Sequence, residues 1–256
     1  MMIWMLASAL AQEPANAADP QDLRIAVDDS AEVNWTRGVL EVTRSAQGRG
    51  VAATRKAVEA SARNNLGAQV QDAVRNVQID PNSQVHDRLD DSELGGLLRS
   101  RAGRWAVGET RYYASGRIEV IAEVPLVDLL KPVSLAVSIA RPEGVREPAI
   151  TGVLIDARGT GVRPAWFPEV QTPAGQVLWD GALWDDQAVT GIPVVWVSDP
   201  AHLAAARVGD DPLIVQAERG DAGVIVLTAE DAVRFRTTLH DSDVLREAHT
   251  VVVVDP

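Results

Sequence analysis

A long amphipathic pattern between Val51 and Val77 limits how this chain can fold. At helical spacing its apolar residues share one face, and charged residues such as Arg55 and Glu59 lie outside that face. The apolar positions are Val51, Val58, Ala62, Leu66, Val70, Ala73 and Val77. A helix with a single apolar face needs a packing partner, so we expect it to lie against a sheet that contains the preceding strand.

The sequence around this helix predicts a β-α-α-β-β domain over residues 32–130. The other predicted elements are a strand Glu32–Thr43 with a bulge at Gly38, a helix Asp87–Ala102 interrupted at Gly95 and Gly96, and hairpin strands Trp105–Tyr113 and Arg117–Pro125. An antiparallel hairpin beside two helices is typical of an α+β layer.

Three prolines and a charged run indicate that residues 131–148 form a linker. A second α/β domain is predicted for residues 149–256. Its predicted elements are the strands Ile150–Ala157, Glu169–Gln171, Gln176–Trp179, Pro193–Val197, Leu213–Ala217, Val224–Leu227 and Thr250–Val254, a helical turn Ala201–Arg207, and a helix capped by Thr228 and Asp231. The fold is therefore expected to be α+β: two small domains, each with a mixed or antiparallel sheet packed with helices.

Residues 1–17 are predicted to be a signal peptide, followed by a linker over residues 18–31. Ile3–Leu10 is a short apolar run, and two small-x-small patterns, ending at Ala11 and Ala17, are candidate cleavage sites. No lysine or arginine precedes the run, so only the α-amino group is positive there. The run is shorter than the ~20 residues of a membrane-spanning helix. We therefore expect export to the periplasm or the periphery of the outer membrane, with no membrane-spanning segment in the mature chain.

Composition excludes several classes of function. The net charge of −12 and the isoelectric point near 4.8 argue against nucleic acid as a partner, because phosphate binding depends on a basic surface. The chain has no cysteine, which excludes disulfides, thiolate metal sites and cysteine nucleophiles. Stability must therefore come from packing.

No sequence motif predicts catalysis. There is no P-loop, no Gly-x-Ser-x-Gly elbow and no His-Glu-x-x-His pair. His240-Asp241-Ser242-Asp243 is the densest group of potential metal ligands, but a polar run between a helix and a strand is usually a solvated loop. We expect a protein that is not an enzyme and has no cofactor or metal; an enzyme of unfamiliar type is the remaining alternative.

Two groups of residues are predicted to form a binding patch. They are Arg99, Arg101, Arg104 and Trp105 in the first group, and Arg158, Gly159 and Gly161 in the second. The first group suits an anion or a glycan, because guanidinium and indole groups bind both; a solvated helix end is the competing interpretation. The glycines of the second group could bring backbone N–H groups to an anion, and a tight turn is the competing interpretation there.

Tryptophans are concentrated in the second half of the chain. They are Trp166, Trp179, Trp184 and Trp196. They predict either core anchors or an interface, and exposed tryptophans would favour binding of a partner or a sugar.

Three stretches carry a resemblance to a known family. They are Asn34–Val42, Ala53–Val58 leading into Asn65 and Leu66, and Ile118–Pro125. Over residues 32–127 the chain resembles the N-terminal domains of small bacterial outer-membrane and flagellum-associated proteins of the FlgP type. Residues 150–164 are similar to a segment that accompanies such domains in other envelope proteins. The resemblance implies an envelope protein that contacts other envelope proteins and forms a homo-oligomer. It also implies that the role could be flagellar.

Two functional hypotheses follow from these observations. The first is a structural or assembly protein that acts through protein–protein contacts. The alternative is a non-catalytic binding module for a glycan, a peptidoglycan fragment or a small anion, which would use the arginine and tryptophan groups. An edge strand available for pairing or a flat apolar patch would favour the first, and a deep pocket with converging carboxylates would favour an enzyme.

Overall fold

The computed structural model describes residues 22–48, 54–137, 150–181, 191–199, 204–239, 244–245 and 248–256. Within these ranges helices pack against two main sheets, so the predicted α+β class is confirmed. The predicted signal peptide, residues 1–17, and the candidate metal cluster at residues 240–243 lie outside the described residues.

The first region, residues 22–137, is built on an antiparallel five-stranded sheet. In chain order its elements are β1 (Arg24–Asp28), β2 (Ala31–Asn34), β3 (Val39–Gln47), α1 (Arg55–Arg63), α2 (Leu66–Val74), β4 (Gln78–Asp80), β5 (Ser83–Gln84), α3 (Val85–Arg88), α4 (Leu94–Ala102), β6 (Ala106–Tyr112), β7 (Arg117–Pro125) and α5 (Leu126–Val137). The strand order is β1-β2-β3-β7-β6, and β4 and β5 form a separate ribbon. The hairpin predicted at Trp105–Pro125 is confirmed as β6 and β7.

The helices α1 and α2 pack on this sheet through the predicted apolar face. α1 contacts both β3 and β7, and α2 contacts β3. On these strands Val42 pairs with Ala122 and Leu40 with Val124, and all four side chains are buried. The described positions of the predicted helix face are also buried: Val58, Ala62, Leu66, Val70, Ala73 and Val77. Removing this apolar surface from water is the main source of stability for the region.

The predicted single helix from Val51 to Val77 is instead two helices, so that prediction is wrong. Asn65, between α1 and α2, has a left-handed backbone with φ of 61°. Asparagine adopts this conformation more readily than most residues, and it breaks the helix without disturbing the apolar face. Thr54 caps α1, since its side chain accepts a hydrogen bond from the N–H of Ala57 at 3.3 Å.

The predicted strand Glu32–Thr43 is also divided, because it folds into a hairpin of β2 and β3. Asn34 pairs with Val39, and the turn between them contains Gly38, whose φ is 64°. Gly38 therefore turns the chain and does not form the predicted bulge. Residues 24–28, which the sequence analysis placed in a linker, form β1 and pair with β2.

The predicted helix Asp87–Ala102 is broken ahead of its glycines and not at them. The side chain of Asp91 accepts hydrogen bonds from the N–H groups of Glu93 and Leu94, at 3.0 and 2.7 Å, and starts α4 there. Gly95 lies inside α4, where a Cβ would collide with the carbonyl of Leu89. Glycine is needed at this position for close packing and does not mark a helix end.

The predicted linker 131–148 begins too early, because α5 continues to Val137 with Pro132 inside it. A proline in a helix leaves the carbonyl four residues earlier without its usual donor. That carbonyl belongs to Asp128, and Arg101 Nη1 donates to it at 2.9 Å. A side chain of α4 thereby stabilises the interrupted helix. The rest of the predicted linker, residues 138–148, lies outside the described residues.

The second region, residues 150–256, is built on a mixed seven-stranded sheet. Its elements are β8 (Gly152–Asp156), β9 (Glu169–Gln171), β10 (Val177–Asp180), β11 (Val194–Val197), α6 (Ala204–Val208), β12 (Pro212–Asp221), β13 (Val224–Leu227), α7 (Ala229–Leu239) and β14 (Thr250–Val253). The order is β10-β9-β13-β12-β8-β14-β11, and its last four strands are parallel. Thr228 caps α7 as predicted, because its Oγ1 accepts from the N–H of Asp231 at 3.2 Å.

The two regions meet at a buried junction. The N–H of Phe167 donates to the carbonyl of Ile79 at 2.7 Å, and Trp166 Nε1 donates to Ser134 Oγ at 3.2 Å. Buried side chains of both regions belong to one continuous apolar cluster. The sheets are therefore joined through a shared core.

A loop of the first region closes the outer edge of β11. Thr36 Oγ1 donates to the carbonyl of Trp196 at 2.8 Å and accepts from the N–H of Leu23 at 2.9 Å. Gly38 packs against Ile192, and a Cβ on Gly38 would lie 2.7 Å from Ile192 Cδ1. The edge of β11 is thus covered by protein and is not available for another strand.

Candidate binding surface

The face of the first sheet opposite α1 and α2 carries a row of charged residues. Glu32, Glu41 and Glu123 lie in one row across β2, β3 and β7, because Glu41 pairs with both of the others. Charged residues on one face and apolar residues on the other are typical of an antiparallel sheet with one solvated side. Three carboxylates in a row would repel one another without a nearby cation.

Arg24 of β1 provides that cation. Its Nη1 donates to Glu32 at 2.7 Å and to Glu41 at 2.6 Å. Burial disfavours the charged guanidinium, but the hydrogen bonds that Arg24 donates to Glu41 and Glu32 outweigh this effect and raise the pKa of Arg24. Two of the three carboxylates are therefore held by one guanidinium of the protein itself, which makes this part of the row a structural network.

The strand β6 ends the first sheet, and its outer edge has no strand partner among the described residues. The N–H of Tyr113 donates inward, to the carbonyl of Arg117 on β7, at 3.0 Å. Backbone groups alternate in direction along a strand, so Thr110 and Tyr112 point their N–H and carbonyl groups outward. β6 thus presents unpaired ladder groups, the feature that allows another strand to be added to a sheet.

Two opposite charges lie next to these outward groups. Arg111 Nη2 donates to Glu109 Oε2 at 2.8 Å, and this hydrogen bond raises the pKa of Arg111 despite its partial burial. The pairing of β6 with β7 shifts between Val107 and Glu109, which places a bulge at Gly108. A Cβ on Gly108 would collide with the side chain of Glu123. The regular part of the edge therefore runs from Glu109 to Tyr112.

A groove of about 460 Å³ lies at the end of this hairpin, between β6, β7 and the start of α1. Arg55 stacks 3.5 Å above the centre of the Tyr112 ring, and Arg117 stacks 4.0 Å above that of Tyr113. The tyrosine hydroxyls donate to carboxylates on the protein: Tyr112 to Glu59 at 2.9 Å and Tyr113 to Glu119 at 2.5 Å. Stacked guanidinium and phenol groups are suited to holding a sugar ring or a carboxylate.

The titrating groups of this groove are held in their ordinary charge states at neutral pH. The hydrogen bond from Tyr112 lowers the pKa of Glu59, with a further contribution from Arg63, so Glu59 stays ionised. The hydrogen bond to Glu119 raises the pKa of Tyr113, so its phenol stays protonated. This arrangement supplies contacts for a ligand and does not prepare a general base or a nucleophile.

In the first predicted patch, two of the three arginines bond backbone carbonyls of the protein. Arg99 Nη1 donates to the carbonyl of Leu89 at 2.9 Å, and Arg101 bonds the carbonyl of Asp128. The indole of Trp105 is half-buried and lies beside Gly67 of α2. Arg104 is exposed at the end of α4. The helix-end interpretation therefore describes this group better than an anion or glycan patch.

The second predicted group is a tight turn after β8. Gly159 and Gly161 have φ of 73° and 78°, which only glycine adopts readily. The N–H of Gly159 already donates to a carboxylate of the chain, Asp255 Oδ2, at 2.7 Å. Arg158 binds Asp156 at 2.9 and 2.5 Å. The N–H of Gly159 is thus occupied by a carboxylate of the protein itself. This turn follows a strand of the second sheet, whereas Arg99 and Arg101 lie on α4 of the first region.

The described tryptophans of the second half are core residues. Trp166, Trp179 and Trp196 are all buried, and Trp196 Nε1 donates to the carbonyl of Ala165 at 3.1 Å. Trp184 lies outside the described residues. Sugar stacking on an exposed indole therefore has no support from the three described side chains.

Within the described ranges, no group of three or more His, Asp or Glu side chains is arranged to hold a metal ion. His86 is exposed and its Nδ1 lies 3.2 Å from the carbonyl of Arg75. His202 and the cluster at residues 240–243 lie outside those ranges. In the same part of the chain, none of the helices has the length and apolar character needed to cross a membrane.

The comparisons with known proteins concern the second region. Residues 152–256 match the family model for the second domain of Treponema pallidum Tp0624. The match starts at the first residue of β8 and includes every described strand of the second sheet. No curated protein matches the chain. The first region, which carries β6 and the tyrosine groove, lies before the matched residues.

The sequence patterns did not predict a functional role for four residues of β6 and its turn: Glu109, Arg111, Tyr112 and Tyr113. Their strand was predicted, but its position at the end of the sheet depends on tertiary pairing that periodicity does not report. One signal was available, since two adjacent tyrosines within a strand put one ring on each face. With Arg55 at the start of α1 and Arg117 across the turn, each ring has a cation within reach.

Proposed function

We propose that this chain is a non-catalytic assembly protein of the bacterial cell envelope, which acts through contacts with other proteins. The observation that carries the proposal is the outer edge of β6, where Thr110 and Tyr112 direct unpaired backbone groups away from β7. An open edge gives affinity through main-chain hydrogen bonds and selectivity through the flanking side chains.

The buried junction between the two regions supports a scaffolding role. Hydrogen bonds from Phe167 and Thr36 and the continuous apolar cluster hold the sheets together. Two sheets that share a core can transmit a fixed geometry from one contact to the next, as an assembly subunit must. The mixed surface charge and the total of −12 also suit a protein whose partners are not nucleic acids.

The envelope location is supported by sequence alone. Residues 1–17 have the apolar run and small-x-small patterns of a signal peptide, and residues 32–127 resemble FlgP-type proteins. A flagellar association is supported by the same resemblance alone, and no contact in the structure bears on it. Fractionation of cells that produce the chain tests this point: the protein is expected in the periplasmic or membrane fraction with residues 1–11 or 1–17 removed. An intact Met1 in the cytosolic fraction would contradict export.

Sedimentation velocity of the purified chain at micromolar concentration tests the assembly role. We expect species larger than a monomer, and we expect association to increase between low and physiological salt, because salt screens the repulsion between acidic subunits. A monomer at every concentration and salt would contradict the proposal.

The tyrosine groove supports a second candidate function, a binding module for an acidic glycan or a peptidoglycan fragment. Arg55, Arg117, Tyr112 and Tyr113 line the groove. Either stacked pair, Arg55 with Tyr112 or Arg117 with Tyr113, could contact the ring and the carboxylate of such a ligand. Calorimetric titration with soluble peptidoglycan fragments tests it. Binding that the Arg117→Ala variant loses and the Arg158→Ala variant keeps would favour this function over assembly.

A further inference from the structure

The side chains along the open edge of β6 are complementary to a second copy of themselves. When a strand pairs antiparallel with its own copy about a two-fold axis, residues at equal distances from the central residue face each other. With Thr110 at the centre, Glu109 of one copy faces Arg111 of the other, and Arg111 faces Glu109. Each of the two cross-strand pairs then joins opposite charges.

We infer that two copies of this chain pair their β6 strands antiparallel about a two-fold axis at Thr110, so that the two first sheets become one continuous sheet. The inference specifies the partner and the register for the proposed assembly function, and it rests on that function.

The hydrogen-bond pattern agrees with this centre. Tyr113 bonds inward to Arg117, so the backbone groups of Thr110 face outward. Two outward-facing Thr110 residues can exchange both of their N–H to carbonyl hydrogen bonds across the axis. The central pair would therefore be a hydrogen-bonded pair, with its Cα atoms about 5.5 Å apart.

Pairing about a neighbouring residue would either bring like charges together or gain no attraction between opposite charges. A centre at Glu109 would oppose two glutamates, and a centre at Arg111 would oppose two arginines, both destabilising for directly opposed residues. With Tyr112 at the centre, neither Glu109 nor Arg111 would face a residue of opposite charge. On the other side, the bulge at Gly108 ends the regular ladder. Thr110 is thus the centre that the charges and the backbone both favour.

The other sheet ends fit a second copy less well. β11 is covered by Thr36 and Gly38. In β1 the pairing is irregular between Ala26 and Asp28, and the guanidinium of Arg24 is already bound to two glutamates. β10 has four residues and an irregular register of its own. β6 has the longest edge of these that lacks a covering segment among the described residues.

Charge-reversed variants of the full chain test the register. Glu109→Arg gives a strand with two arginines and Arg111→Glu gives one with two glutamates, so each variant alone should dimerise about tenfold more weakly than the wild type. A one-to-one mixture of the two variants should regain the association, because both cross-strand pairs are then attractive. Ion pairs within one chain cannot explain this recovery, since neither variant regains its own Glu109–Arg111 pair.

Sedimentation equilibrium of each variant and of the mixture measures these constants, with circular dichroism to show that each variant is folded. If the wild type dimerises but the mixture associates no better than either variant alone, the Thr110 register is wrong and the assembly function stands. If the wild type is monomeric throughout, both the register and the proposed function fail.

The absence of cysteine allows a second, direct test. A Thr110→Cys variant should form a disulfide-linked dimer under mild oxidation, because the two thiols would sit on Cα atoms about 5.5 Å apart, within the range of a disulfide. Ala106→Cys is the matched control on the same edge. Its thiols would lie roughly 27 Å apart at ~3.4 Å per residue, too far to link. Equal cross-linking of the two variants would overturn the inferred register.

Discussion

The strands β11 and β6 both end a sheet, yet one is closed and the other open. The carbonyl of Trp196 on β11 is bound by Thr36, and the indole of Trp196 is fully buried. On β6, Thr110 faces outward, and Tyr112 is 40% exposed. Both strands carry an aromatic residue, but β11 is apolar throughout, whereas β6 contains Glu109 and Arg111. The apolar strand is the one on which a loop of the first region packs.

Edge strands are protected against unwanted pairing either by a covering segment or by charge and bulges. β11 has the first kind of protection, which is part of the folded core and cannot be removed without unfolding. β6 has the second kind, in Gly108, Glu109 and Arg111. A pair of opposite charges repels most strands but accepts a strand with the reverse order, and its own copy in antiparallel orientation has that order.

The largest difference between the two edges should appear when their aromatic residues are truncated. Trp196→Ala removes a buried indole and its hydrogen bond to Ala165, and we expect a loss of about 3–5 kcal/mol in the free energy of unfolding. Tyr112→Ala should cost a small fraction of that, because much of the ring is in water. Denaturant unfolding of both variants measures the difference. Equal midpoints would mean that β11 is not buried as described.

The same substitution at the two edges gives a closer comparison. Thr36→Val keeps the shape of the side chain but removes a buried hydroxyl that bonds Trp196 and Leu23, so we expect a loss of about 1–3 kcal/mol. Thr110→Val should leave the stability of the monomer almost unchanged, since valine suits a strand and no buried partner is lost. Thermal unfolding at low protein concentration compares the two. A larger loss at Thr110 would contradict the assignment of open and closed edges.

Alanine substitutions at two glycines distinguish the cost of backbone strain from the cost of a steric contact at the junction. Gly38 and Gly116 both have positive φ, 64° and 79°, so alanine at either position costs about 1–2 kcal/mol in strain. Only Gly38 faces a neighbour, Ile192, whereas no atom lies within 4 Å of a Cβ at Gly116. We expect Gly38→Ala to be the more destabilising by roughly 1 kcal/mol. Equal melting temperatures would show that the loop does not press on the edge of β11.

The smallest effect is expected at the ion pair of Asp156 and Arg158, the second sheet's counterpart of Glu109 and Arg111. The hydrogen bond from Arg158 lowers the pKa of Asp156 in the folded protein. The stabilisation by the ionised Asp156 is therefore fully present above the pKa of this carboxyl in the unfolded chain, about 3.9. It is lost as the pH falls through the lower pKa of Asp156 in the folded protein. Asp156→Asn should flatten the stability profile slightly below pH ~4. An unchanged slope in acid would contradict this pairing.

Much of the fold follows from short-range pattern. The strands Glu169–Gln171 and Val224–Leu227 have the predicted bounds, and β7 at Arg117–Pro125 does as well. Each is an apolar or alternating run between clear turn residues, so local sequence is enough to delimit it. The buried face of α1 and α2 is predictable for the same reason, since helical periodicity reports burial directly.

The rest depends on contacts distant in sequence. Trp35 and Thr36 read as part of a strand, but they are buried at the junction with the second sheet and belong to a turn. Arg101 reads as a free cation, and its role appears only with Asp128 and Pro132 in place. The candidate edge was hidden in the same way, because strand order decides which strand lies outermost.

The position of β14 has a consequence for the time at which the second sheet can form. β14 is inserted between β8 and β11, although both of those strands precede it in the chain. During synthesis β8 and β11 therefore wait without their common neighbour until residues 250–253 emerge. Val195 and Val197 are buried in the finished sheet and stay accessible to water and to chaperones in that interval.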